Sequence, residues 1–457
     1  MDLTSIANRL HESYGCDLQV ADESKMLNNL NENDLVRITF PDSEEYLELY
    51  AKEIAAYLDN CDEGKLIDNL EYFSVDKYLL RIEPASETAF QYFMGKHYDL
   101  STTENMAKFD RIITLKEQAR HVHRKLLSCS LSETYWKQYY DIDAEINKIE
   151  SEIISPTNRY CKIQLNYKDC NLHFSIIRGA SEFGLWVTKT ENYEKWYPPV
   201  LGDDLFVEII HNGKLEIDEC RTLANKYIYE LSAQLGLEVR RAARAEIAEE
   251  NYLENSEISK IRKKKLLMFS TRGLSKELYS LYCKAIAAED TDFIILNYIK
   301  IIEFISQTVS RIKMYNMIRP KLEQRDSINP SVNFIEELRQ IFDKLKIQMQ
   351  DRELIKTTIN TCCDINCTEI PDCETLQFLK QAKLAGDKQK IKDAFNRLGD
   401  IFYSTRCQIA HAKINYQKSG DECPPEDHPA LIKCLKSICE QCIRWFESQA
   451  EGSKYSD

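Results

Sequence analysis

The chain has 457 residues, too many for one ordinary compact domain, and its 43% hydrophobic content with only 13 Gly and 11 Pro excludes a disordered or fibrous chain. Its formal charge of −14 is unevenly spread: residues 257–457 hold 32 Lys and Arg against 28 Asp and Glu, so the acidic excess lies in residues 1–256. A nucleic-acid binder usually shows a basic excess, which excludes the first half as a general RNA surface and leaves the second half to act through a local patch.

The opening stretch has no basic region followed by an apolar run, so no secretory signal is expected. The most apolar stretch, Phe293 to Ile305, is broken by Asn297, Lys300 and Glu303 and falls short of the ~18 residues of a bilayer span. A soluble, cytoplasmic protein without a membrane partner is therefore expected. Its sixteen cysteines should be reduced and mostly buried. The densest group, Cys362, Cys363, Cys367 and Cys373, lacks both the hook spacing of zinc sites and a nearby His. There is also no phosphate-binding Gly-rich loop, no Ser-His-Asp set and no HExxH. Neither metal nor cofactor is expected, the alternative being a zinc-binding regulator built on those four cysteines.

In chain order, Leu3–Tyr14 reads as a helix, followed by strands at Leu35–Phe40 and Tyr78–Glu83. Residues 103–154 switch to the helical period. Strands return at Cys161–Tyr167, Leu172–Ile177, Leu185–Thr188 and Leu205–Ile210, with a hairpin-type turn at His211–Gly213. Trp186, Trp196 and Tyr197 read as sheet-core anchors. A helix of about 35 residues is expected from Asp218, its polar tail running into the basic stretch Arg262–Lys265. Beyond Ser270 nearly everything is helical: Leu274–Glu289, then Asp292–Met317 capped within Asp290-Thr291-Asp292 and stopped by Pro320, then Asn333–Gln350, Thr375–Ala385, a long helix from Asp387 past His411, and Pro429–Gln449 with Asp427 as N-cap.

The expected fold class is α+β and multidomain, a mixed α/β N-terminal region followed by an all-α helical bundle. The segments are 1–100, mixed α/β; 101–255, helical plus β-sheet and regulatory; 256–272, a basic linker; and 273–450, a helical domain with a loop-rich insertion at about 326–375.

The candidate catalytic residues are Arg406 and His411, in FYSTRCQIAHAK. Arginine, four residues, histidine arises by chance about 0.4 times in a chain with this many of each, so the pattern carries weight only through its setting. That setting is a strongly amphipathic helix, with Ile391, Phe395, Leu398, Phe402, Thr405, Ile409 and Ala412 as one buried stripe. Arg406 lies on its rim, and His411 falls about 140° further round an ideal helix. The two need a distorted or ending helix, or a second subunit, to converge. Glu303, a lone carboxylate in an apolar helix, is either the partner of an Arg of the motif helix or a solvent-facing charge.

The second half resembles the Apea-like branch of the HEPN superfamily over roughly residues 270–450. The resemblance is carried by LYSLYCKAIAAEDTDFIILNYIKIIEFIS at 278–306, by FNRLGDIFYSTRCQIAHAKINY at 395–416, similar to the family's Tyr-x-x-Arg-Asn-x-x-x-His helix, and by the closing helix. It implies a dimeric helical bundle that cleaves RNA without metal across the dimer, with Arg406 and His411 as the catalytic pair and Tyr403, Cys407, Gln408 and Glu303 in support. Cys407 stands where the family usually has Asn. The resemblance further implies cleavage of tRNA or other cellular RNA in antiphage defence, with the N-terminal region answering a phage-derived trigger. The alternative is an inactive HEPN scaffold that dimerises and binds RNA or protein.

The chemistry has its own logic. RNA supplies its 2′-hydroxyl as nucleophile, so cleavage needs proton transfer and charge stabilisation. A histidine titrating near neutrality moves the proton, and an arginine holds the phosphate in two places. Lys413 and Gln408 are placed to contact the phosphate backbone, and the product would end in a 2′,3′-cyclic phosphate.

Overall fold

A computed structural model of the chain describes residues 3–22, 25–31, 34–41, 46–51, 54, 64–67, 70–128, 133–154, 159–179, 181–189, 199–200, 202–211, 215–242, 256–271, 273–348, 350–410 and 419–454. The chain divides into two compact units, Met1–Phe269 and Ser270–Asp457. The α+β class is as expected: antiparallel sheets in the first unit, helices in the second.

The first unit opens with α1 (Leu3–Tyr14), then β1 (Asp17–Val20), β2 (Leu35–Thr39) and β3 (Tyr46–Tyr50), which pair in that order as an antiparallel sheet. The larger sheet is built from β4 (Lys65–Ile67), β5 (Glu71–Phe73), β6 (Lys77–Pro84), β7 (Arg159–Tyr167), β8 (Cys170–Arg178) and β9 (Leu205–Ile210). Its order is β4-β5-β6-β9-β8-β7, all antiparallel, with β10 (Val239–Arg241) pairing the far end of β6. Strands β6 and β9 pair from Lys77↔Ile210 to Ile82↔Leu205, so residues 1–100 and 101–255 share one sheet. No domain boundary falls at residue 100.

Between β6 and β7 lie α2 (Glu87–Met94) and a helical hairpin, α3 (Thr103–Ser128) and α4 (Glu133–Ile153). The hairpin has its own core of Phe109, Ile112, Leu115, Ile146 and Ile153. A continuous core elsewhere joins α1 and the small sheet to one face of the large sheet through Leu79, Ile177 and Phe206.

Three expectations for this unit are corrected. Leu185–Thr188 is not a strand but part of α5 (Ser181–Lys189). Phe183 and Val187, four apart, are both buried, and the Thr188 hydroxyl donates to the Gly184 carbonyl at 2.9 Å, so helical spacing outweighs the strand-like composition. Trp186 on α5 packs beside Tyr72, whereas Trp196, Tyr197 and the turn residues 212–213 lie outside the described residues. The 35-residue helix is α6 (Ile217–Leu235), ended by Gly236 at φ 71°, a left-handed conformation that glycine adopts without steric cost. Thirdly, Ser256–Arg262 is a helix, α7, with Ile258 fully buried, and it belongs to the first unit and not to a linker.

The last correction moves the charge. The excess read from residues 257–457 came from residues 260–265, and Ser270–Asp457 alone holds 27 Lys and Arg against 27 Asp and Glu. The second unit is neutral.

That unit comprises α8 (Lys276–Ala287), α9 (Thr291–Leu322), α10 (Val332–Gln348), α11 (Asp351–Cys362), α12 (Gln377–Ala385), α13 (Lys388–Ala410) and α14 (His428–Ser448). Asp290 caps α9 as expected, accepting from the Asp292 and Phe293 amides. Helix α9 is long and apolar enough by composition to cross a membrane, yet half of that window is buried by its neighbours α8, α11, α13 and α14. It also runs through Pro320 to Leu322. A proline so near the end removes one hydrogen bond, to the exposed Asn316 carbonyl, and does not stop the helix. Nor is 326–375 wholly an insertion: α11 buries Leu354, Ile355, Thr358 and Ile359 against the bundle. Asp427 starts α14, but its carboxylate accepts from the Thr375 amide at 3.3 Å and no side-chain cap forms.

The sheet of the first unit encloses Glu208, which is 1% exposed. Arg159 Nε lies 2.9 Å from its carboxylate, Ser175 Oγ 2.8 Å and Lys77 Nζ 3.7 Å. Burial raises the carboxyl, but Arg159, Lys77 and Ser175 outweigh it and hold Glu208 below the ordinary carboxylate value. A carboxyl lowered on folding contributes stability above its unfolded value, lost as the pH falls through the folded one. Glu208→Gln is therefore expected to cost about 3 kcal/mol at neutral pH and progressively less through the acid range. Urea unfolding at several pH values checks this, and an equal loss at every pH would contradict it.

Candidate active site

The motif helix α13 is amphipathic as expected: Phe395, Leu398, Phe402 and Thr405 are buried. Ile391 and Ile409 are half-buried at the edges of the stripe. Its close partner is α11. A Cβ on Gly399 would lie 2.7 Å from Lys356 Cγ and 3.1 Å from its Cα, so only glycine allows this approach. The seam is fastened by Lys356 Nζ, 2.8 Å from Asp400, and by Arg352, which pairs with Asp400 and with Asp421 at 2.9 Å.

Arg406 lies on the rim of the stripe, its side chain 31% exposed, with Nε 3.3 Å from Glu303 Oε1 on α9. Glu303 is thus paired with the motif arginine. Burial raises its carboxyl and Asp351 adds to this, while Arg406 and Lys300 oppose them, and the net direction is upward. Tyr403, one turn before Cys407, is held above the usual phenol value, first by its hydrogen bond with the Cys407 side chain and then by burial. Cys407 and Gln408 are half-buried beside Arg406. The structure therefore brings together Glu303, Tyr403, Arg406 and Cys407, with Asp351 close enough to act on Glu303 and Tyr403. His411 and Lys413 lie outside the described residues, as does Ala412.

The chain beyond this stretch returns to the same helix. The Ser419 hydroxyl meets the buried Ser404 hydroxyl at 3.1 Å, and the Cys423 amide donates to Thr405 Oγ1 at 2.9 Å. Burial would raise the Glu422 carboxyl, but the Ser419 and Gly420 amides and the Ser419 hydroxyl hold it at about 2.

Sequence reasoning missed Asp351, whose charge reaches the site only because α11 packs between α9 and α13. The described thiols are free, as the sequence implied, but their packing on α14 was not foreseen. Cys363 Sγ lies 3.7 Å from Cys442 Sγ on α14, and hydrogen bonds from Cys362 and Cys363 lower Cys442 to about 5. Cys367 is exposed, and among the described residues no group of three or more His, Cys, Asp or Glu side chains is arranged to hold a metal ion. Cys434, Cys439 and Cys442 recur at the helical period on the buried face of α14, a signal that marks core and not ligands.

The chain matches no protein-family model, no curated protein and no solved structure.

A half-exposed pair of this kind should be worth little in stability. In a double-mutant cycle of Glu303→Gln and Arg406→Gln, the coupling energy is expected to be about 0.5–1 kcal/mol. A coupling well above 1 kcal/mol would contradict this.

Proposed function

We propose that the second unit is a HEPN-type, metal-independent endoribonuclease. It acts in the cytoplasm as a homodimer, cleaving tRNA or another cellular RNA in antiphage defence. The first unit restrains it until a phage-derived trigger acts. The observation that carries this reading is the ion pair of Arg406 and Glu303, which unites two of the three segments in which the sequence resembles the HEPN family. Glu303 orients the guanidinium from behind, and Arg406, a third exposed, is left to meet a phosphate.

In this mechanism His411 takes the proton of the RNA 2′-hydroxyl or supplies one to the leaving 5′ oxygen. Arg406 stabilises the charge that builds on the phosphorus oxygens in between, and Lys413 and Gln408 hold the neighbouring backbone. A second copy of the chain supplies the opposite member of the acid–base pair. The exposed apolar residues Ile328, Val332, Ile335 and Phe342 support a surface for self-association. A neutral unit implies that RNA is held through these few contacts and not through a general basic face.

Cys407 favours a second reading. It occupies the place of the family's Asn beside Tyr403, whose phenol it helps hold above the usual value, which fits a HEPN scaffold that binds RNA or protein without cutting.

Incubating total tRNA with the protein in EDTA, with and without extract from phage-infected cells, separates the two. Cleavage is expected from the wild type, with a loss of at least 100-fold in His411→Ala and Arg406→Ala. That loss is the size usual for a general acid–base group or a charge-stabilising donor. Equal cleavage by all three proteins, or none by the wild type under either condition, would contradict the nuclease reading.

A further inference from the structure

The acidic first unit holds a cavity of about 900 Å³ with a basic wall. It lies along the α3–α4 hairpin, where Lys116, Arg120 and Arg124 recur every four residues on one face of α3. Lys96 and Arg262 complete the wall, against two carboxylates, Asp143 and Glu150. Five cations facing two anions is the reverse of a chain whose net charge is −14. A cavity with such an excess of one sign focuses the field on a ligand of the other.

Within the cavity the charges are shared unequally. Glu150 is shared by Lys96 Nζ at 2.6 Å, Lys116 Nζ at 3.0 Å and the Tyr98 hydroxyl at 2.8 Å, so one carboxylate serves two ammonium groups. Asp143 accepts from Asn147 on its own helix. Arg124 is exposed and makes no ion pair among the described residues. Arg262 at the end of α7 is built into the wall. Its guanidinium lies over the Tyr92 and Tyr98 rings, donates to the Tyr92 carbonyl at 3.3 Å and meets His97 Nδ1 at 3.2 Å. Burial, with the charges of Arg262 and Arg178, lowers His97 to about 2, so the ring stays neutral and can accept from the arginine.

A second observation narrows the ligand. Gln91 on α2 lines the cavity at 9% exposure, and its Oε1 is buried without a hydrogen-bond partner. Its Nε2 donates to Glu87 at 2.8 Å, which fixes the amide with the carbonyl as the open acceptor. A bare anion leaves that acceptor unsatisfied, whereas a base or sugar N–H or O–H satisfies it. Tyr139, beside His123, adds an aromatic face to the cavity lining. We propose that this cavity binds a nucleotide, its phosphates against Lys96, Lys116, Arg120, Arg124 and Arg262 and its base or sugar donating to Gln91. The inference stands apart from the nuclease reading, because binding is measured without activity.

Isothermal titration of the full chain with each of the four nucleoside triphosphates and with inorganic tripolyphosphate tests it. At least one nucleotide is expected to bind one to one and at least 10-fold more tightly than tripolyphosphate. Arg124→Glu, at an exposed position that does not endanger folding, should weaken it at least 10-fold, and Gln91→Leu should remove its advantage over tripolyphosphate. Arg339→Glu, the same charge change in the second unit, should have no effect. No binding at millimolar concentration, equal affinity for tripolyphosphate, or an equal loss in Arg339→Glu would overturn the proposal.

Discussion

The contact between Arg406 and Glu303 is where the geometry of the second unit meets its chemistry. A guanidinium at the edge of an apolar stripe points to solvent unless something holds it, and the carboxylate that holds this one stands on the bundle's central helix. That carboxylate is half-desolvated and lies near Asp351, so its own charge is penalised, and Arg406 opposes the penalty without cancelling it. The position of each group therefore depends on the other. It depends also on α11, which sets the α9–α13 spacing through the approach of Gly399 to Lys356.

The first unit solves a different problem, that of charge inside a sheet. Glu208 is surrounded by Arg159, Lys77 and Ser175, and α6 carries a fully buried Lys226–Glu230 pair at 2.7 Å. Such pairs add little net stability over apolar residues, but each is costly to break from one side. The basic wall of the hairpin cavity differs in kind, because its cations outnumber the carboxylates that face them.

Much of the fold was legible because helix and strand periods are written locally. Leu3–Tyr14 and Leu205–Ile210 fall where the apolar spacing places them, as does the α13 stripe. The failures share a cause: tertiary packing decided what local pattern could not. Leu185–Thr188 has strand composition, yet the core needs Phe183 and Val187 on one helical face. The tail after Gly236 has helical composition, yet Val239–Arg241 adds to the sheet beside β6. The run Arg262–Lys265 reads as a solvated linker; its lysines are exposed, but it belongs to the first unit behind α7, and with it moves the basic excess once credited to the second half. At the site, Arg406 on the rim followed from amphipathic phase, and Glu303 as its partner was one of two readings of a lone carboxylate in an apolar helix. Asp351 did not, since nothing local marks a residue brought in by a helix 50 positions away.

The measurement that tests the central claim most directly is the chemistry of the RNA ends left in cells that produce the protein under phage attack. If a guanidinium and an imidazole drive the 2′-hydroxyl onto its own phosphate, new 3′ ends carry a 2′,3′-cyclic phosphate and disappear when Arg406 is replaced by alanine. New 3′ ends bearing free hydroxyls, or cyclic ends that persist in the variant, would contradict the account.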